Sequence, residues 1–116
     1  MKFMTMVKSA EGHSAPPPEL MAAIAALGEE AGRSGVMVAM GGLYPSAAGA
    51  RVRLTNGKLH VIDGPFTEAK ELIGGYAIFE VPSKHEAIVW TQRFMEAHLR
   101  HWPGWEGETE IRQIYG

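Results

Sequence analysis

The chain has 116 residues, 46% hydrophobic and 21% charged, with a net charge of −2 and no cysteine. This is the make-up of one globular domain, read here as residues 1–116, and the mixing of eleven Lys and Arg with thirteen acidic residues argues against a nucleic-acid binder, which carries a basic stripe. Disulfides, thiolate nucleophiles and cysteine metal sites are excluded, and no segment approaches the roughly 18 consecutive apolar residues that span a bilayer. The opening MKFMTMVKSAEGH lacks the apolar core of a secretory signal, so cytoplasmic residence is the expectation.

Lys2 to Val7 alternates weakly between apolar and polar and predicts a first strand. Pro16-Pro17-Pro18 and Glu19 mark entry to a helix, since proline suits a first helical turn. Its apolar stripe is Leu20, Ile24, Leu27 and Ala31, and Gly32 and Gly35 bracket its stop. Val36 to Met40 is a continuous apolar run between glycines, which predicts a short strand covered on both faces.

Ala50 to Thr55 alternates cleanly into Asn56-Gly57, the strongest short hairpin signal. A two-residue turn there sets Thr55 opposite Lys58, Arg53 opposite His60, Val52 opposite Val61 and Ala50 opposite Asp63. Val52, Leu54, Leu59, Val61 and Asp63 then share one face, and Arg51, Arg53, Lys58, His60 and Ile62 the other. Gly64-Pro65 ends the pairing, because proline has no amide hydrogen to donate.

After a turn over Thr67 to Leu72, Gly75 to Val81 predicts another strand. Ser83 with Glu86 three residues on has capping-box spacing, and opens a helix to about Arg100 whose buried stripe is Ile88, Thr91, Met95 and His98 beside Trp90 and Phe94. His101 to Gly107 is an irregular loop, and Glu108 to Tyr115 a final strand with Thr109, Ile111, Gln113 and Tyr115 on one face. The order gives an α+β fold: a ferredoxin-like sheet with two helices on one face and an inserted β-hairpin. The uncovered face predicts a homodimer in which two sheets pair.

Asp63 is the first candidate for chemistry. A carboxylate on the apolar side of a strand is desolvated unless paired, which raises its pKa toward the range of a general base. The same Asp, before Gly-Pro, also suits a structural turn tied to Glu68 or Lys70. Lys70 is a counter-ion for Asp63, a binder of an anionic substrate, or a solvated surface lysine. Arg51 lies on the basic face of the hairpin, where it serves solvation or grips a carboxylate. Met6, Met40, Phe66, Tyr76 and Trp102 are either pocket lining or core. Five histidines show no third ligand at a motif spacing, so no metal and no cofactor is expected. His98 reads as a packing histidine, and His13 as a loop residue without a partner.

The segment DGPFTEAKELIGGY, with GVMVAMGGLYPS, Arg51-Val52-Arg53 and Glu110-Ile111-Arg112-Gln113, resembles the DGPF group of the YCII-related family over most of the chain. The resemblance implies a dimeric α+β barrel. Some relatives look like small-molecule enzymes, including a dehydrochlorinase type acting on hydroxylated aromatics through a His and Asp pair. The first helix, PELMAAIAALGEEAGRSG, offers no matching His, so only Asp63 is carried over. DGPF proteins are also associated with extracytoplasmic-function sigma factors. Two readings follow: a small-ligand-binding, sensor or accessory protein with a sigma factor as partner, or a metal-free lyase or isomerase with Asp63 as general base on an apolar or aromatic substrate.

Overall fold

A computed structural model describes all 116 residues. Its elements are β1 (Lys2–Ser9), α1 (Pro18–Arg33), β2 (Met37–Gly42), β3 (Ala50–Thr55), β4 (Lys58–Asp63), β5 (Leu72–Glu80), α2 (Lys84–His101) and β6 (Glu108–Gln113), with one 3-10 turn at Ser46–Ala48. Four strands form an antiparallel sheet in the order β2-β5-β1-β6, while β3 and β4 pair only with each other. This is the expected ferredoxin-like sheet with a hairpin inserted between its second and third strands.

Both helices lie on one face of the sheet, around a core of Phe3, Ala31, Phe79, Val81 and Ala87. The α1 stripe is as expected: Leu20 and Ala31 are buried and Ile24 and Leu27 half-buried. The helix closes in a Schellman motif, with Val36 N–H donating to the Ala31 carbonyl and Gly35 N–H to that of Gly32. At the start of α2 the Ser83 hydroxyl accepts from Glu86 N–H at 3.3 Å, and Ala87, Thr91 and His98 are its buried residues.

The hairpin has the register that Asn56-Gly57 dictates: Thr55 faces Lys58, Arg53 faces His60, Val52 faces Val61 and Ala50 faces Asp63. Asn56 and Gly57 have φ of 52° and 74°, which a type I′ turn requires of both central residues.

Two expectations are corrected. β2 is not covered on both faces: it is an edge strand beside β5, its exposure alternates, and Val38 is 52% exposed. A short apolar run has the same composition in an edge strand as in a buried one. The final strand stops at Gln113, leaving Tyr115 fully exposed beyond it. The apolar face of the hairpin is open in the single chain, with Val52, Leu54, Leu59 and Val61 between 69% and 73% exposed. The sheet face away from the helices, where Met4, Met6 and Ile78 alternate with the buried Phe3 and Thr5 and with Phe79, also has no layer over it.

Candidate functional site

The helix and sheet layers meet tightly at one end and part at the other, leaving a cavity of about 480 Å³, a size typical of small-molecule sites. Its floor is the sheet (Thr5, Val7, Met37, Ala77 and Phe79), and its roof is α1 (Leu20, Ile24 and Leu27) and α2 (Trp90, Thr91, Phe94 and His98). Gly42 and Gly75, paired with each other and on the same sheet face as Val7, supply only backbone on the wall, which leaves space between the layers there. Trp102 and Trp105, from the loop after α2, and His13, from the loop after β1, complete the rim. No Asp, Glu, Lys or Arg side chain lines the cavity.

His98 is the most informative group on this wall. Its residue exposure is 6%, and its ring packs on Phe94 at 4.6 Å and Trp105 at 4.4 Å, with Trp102 stacked at 6.4 Å. Nδ1 lies 3.0 Å from the Phe94 carbonyl oxygen. A carbonyl only accepts, so Nδ1 carries the proton. No buried side-chain nitrogen or oxygen is left unpaired, so Nε2, which has no protein partner, keeps accessible surface on a residue that lines the cavity. Burial pushes the His98 pKa below the ordinary 6.5, opposed by the bond to Phe94, so the imidazole is neutral with its Nε2 lone pair free. His13, expected to be unpartnered, meets Trp102 edge-on, with ring centroids 5.0 Å apart at 87°.

The DGPF segment builds a separate corner. Ser46 is its hub: Ser46 N–H donates to Glu11 Oε1 at 2.5 Å, the Ser46 hydroxyl donates to Glu11 Oε2 at 2.7 Å, and that hydroxyl accepts from Phe66 N–H at 3.0 Å. Gly64 N–H donates to the Gly49 carbonyl at 2.9 Å. A Cβ on Gly64 would fall 1.6 Å from the Ser46 carbonyl oxygen, so this close approach admits only glycine. The loops after β1, β2 and β4 are thus tied at one hydroxyl, which anchors the hairpin to the body. These hydrogen bonds to Ser46 hold the Glu11 carboxyl below its usual range. Arg51 pairs with Glu68 and lies over the Phe66 ring, 4.0 Å from its centroid. Glu68 is held low first by its own backbone amide and then by Arg51.

The six residues proposed from sequence therefore divide between two places. Met40 and Trp102 line the cavity; Tyr76 borders it, but its register opposite Met6 sets its ring on the open face of the sheet, over Gly41. Asp63, Arg51, Phe66 and Lys70 lie at the DGPF corner, outside the cavity wall. Asp63 is exposed, so the desolvation expected of it is not found in the chain. Lys70 is exposed as well, and the ion pair of the corner runs between Arg51 and Glu68 rather than between Lys70 and Asp63. The latch expected at Asp63 is made by Ser46 and Glu11, 35 residues apart, a pairing with no local sequence signal. His98 stood on the predicted buried stripe, but the stripe does not distinguish packing from facing a cavity. No cluster of three or more His, Asp or Glu residues is placed to hold a metal, and no helix is long and apolar enough to cross a membrane.

A family model for the YCII-related domain matches residues 1–100. No curated protein matches the chain.

Ser46→Ala removes the shared hydroxyl and strands Phe66 N–H, so it is expected to lower stability by about 1–3 kcal/mol in urea unfolding. Asp63→Asn, at an exposed position, is expected to stay within about 0.5 kcal/mol of wild type. The reverse ranking would identify Asp63 as the latch.

His98 generates a pH prediction with a fixed sign. Its folded pKa is depressed, so below pH 6.5 the unfolded chain takes up the proton first and stability falls with acidification, by at most about 1.4 kcal/mol per pH unit. His98→Phe should flatten the urea-unfolding profile below about pH 6.5. An unchanged slope in the variant would mean that the imidazole is not held neutral by the fold.

Proposed function

The chain belongs to the YCII-related family, and we propose that it is a small-ligand-binding protein whose ligand, neutral and largely apolar, lies between the sheet and the two helices. The observation that carries this reading is the 480 Å³ cavity, walled by apolar and aromatic side chains with no charged group on it. An apolar ligand gains on the order of 25 cal/mol for each Å² it removes from water there, whereas a charged one would lose its hydration without a counter-ion. The rings of His13, Trp102 and Trp105 at the rim give a flat molecule surfaces to stack on.

Indane, a bicyclic hydrocarbon with no polar group, is a suitable probe. It should raise the melting temperature of the wild-type protein and titrate to saturation by calorimetry. Ala77→Phe, which places a ring in the cavity, should abolish binding while the protein remains folded by circular dichroism. Binding of indane undiminished in Ala77→Phe would place the ligand elsewhere and sink this reading.

We propose further that the protein works as a homodimer with the two sheets face to face, the arrangement of a dimeric α+β barrel. A compact protein of 12.6 kDa exposes about 6,200 Å² by the scaling of area with mass, whereas this chain exposes 8001 Å². Its radius of gyration of 15.8 Å likewise exceeds the roughly 13.4 Å of a compact chain of this length. The excess of about 1,800 Å² per chain is what a permanent dimer interface covers. The open sheet face and the apolar side of the hairpin are the surfaces that supply it. Sedimentation at micromolar concentration should give twice the chain mass, and Val61→Glu on the hairpin should shift the protein toward monomer. A wild-type sedimentation mass of one chain would overturn the dimer.

A further inference from the structure

Resting on the ligand-binding reading of the cavity, we infer that its ligand carries one hydrogen-bond donor, a hydroxyl or an N–H on an otherwise apolar frame, delivered to Nε2 of His98. The wall holds one strong acceptor on a buried residue without a protein donor, Nε2 of His98: Nδ1–H is committed to the Phe94 carbonyl at 3.0 Å, and Nε2 keeps accessible surface on a residue that lines the cavity. His13, by contrast, with Nδ1–H on the Ser14 carbonyl at 2.9 Å, is exposed and presents its own Nε2 to water at the rim. An apolar ligand seated against that nitrogen strips its water and leaves it unpaired, a penalty of about 1–3 kcal/mol that a ligand donor removes. The same asymmetry makes a buried polar site reject molecules that lack the matching group.

The threonines of the wall do not change this preference. Thr5 Oγ1 donates to the Ala77 carbonyl at 3.4 Å, Thr91 Oγ1 to the Ala87 carbonyl at 2.8 Å, and Thr109 Oγ1 to Met95 Sδ at 3.1 Å. With their protons committed, all three hydroxyls present lone pairs. The absence of lysine and arginine from the wall leaves no cation for a carboxylate or phosphate. The side-chain donors that remain are the indole N–H groups and Ser9, and a ligand that only accepts would have to rely on these.

The test compares indole, 1-methylindole and indane by calorimetry on the full chain at pH 7.5. Indole and 1-methylindole share a ring system and differ in the N–H. Indole is expected to bind wild type about tenfold more tightly than either of the others, as one satisfied hydrogen bond predicts. In His98→Phe, which keeps a ring at that position and removes the acceptor, the three should bind alike. The Nε2 nitrogen resonance of His98 should move on addition of indole and stay in place with indane, a signature that a purely structural histidine does not give. Equal affinities in wild type overturn donor selection while leaving the cavity reading intact. Failure of all three to bind overturns both. If His98→Phe does not fold, the wild-type affinities and the Nε2 resonance decide the matter.

Discussion

Two helices resting on a sheet stay apart wherever the facing residues lack side chains to fill the gap, and that constraint shapes this protein. At one end of the layers Phe3, Phe79, Val81, Ala31 and Ala87 interlock. Toward the other end the strands carry Gly42 and Gly75 on the helix-facing side, and the loops beyond α2 and β1 bring tryptophan and histidine to the edge. The result is a closed core joined to an open cavity. Empty space in a protein interior forfeits dispersion contacts, so a cavity of this size is costly unless something occupies it.

The chemistry of the cavity is narrow because its polar groups satisfy one another along the helices and strands. Thr91 and His98 both turn their protons back to carbonyls one helical turn earlier. Such back-bonding leaves acceptors pointing outward and fixes the histidine tautomer without a carboxylate. Burial lowers the His98 pKa in the same sense, so geometry and electrostatics both present a neutral ring.

The DGPF corner has a different task. A carboxylate, a hydroxyl and two backbone N–H groups join three loops, and the hairpin projects from that knot with its apolar face uncovered. The hairpin packs on nothing else in the chain as a sheet, since β3 and β4 pair only with each other. Its orientation therefore depends on the Ser46 junction, which explains why Gly64 must come so close to the Ser46 carbonyl.

Local patterns in the sequence determined the elements and their order. Hydrophobic spacing placed Leu20, Ile24, Leu27 and Ala31 on one side of a helix, Asn56-Gly57 fixed a hairpin register to the residue, and Ser83 marked a helix start. Each is an interaction between residues a few positions apart, or between directly opposed strand partners, so composition and period suffice to read it. Tertiary structure alone decided the rest. It made β2 an edge strand, exposed Asp63, joined Glu11 to Ser46, and set the packed ring of His98 on the wall of a cavity. Those outcomes depend on which surfaces meet across many residues and on where side-chain volume is missing, and neither leaves a periodic trace along the chain.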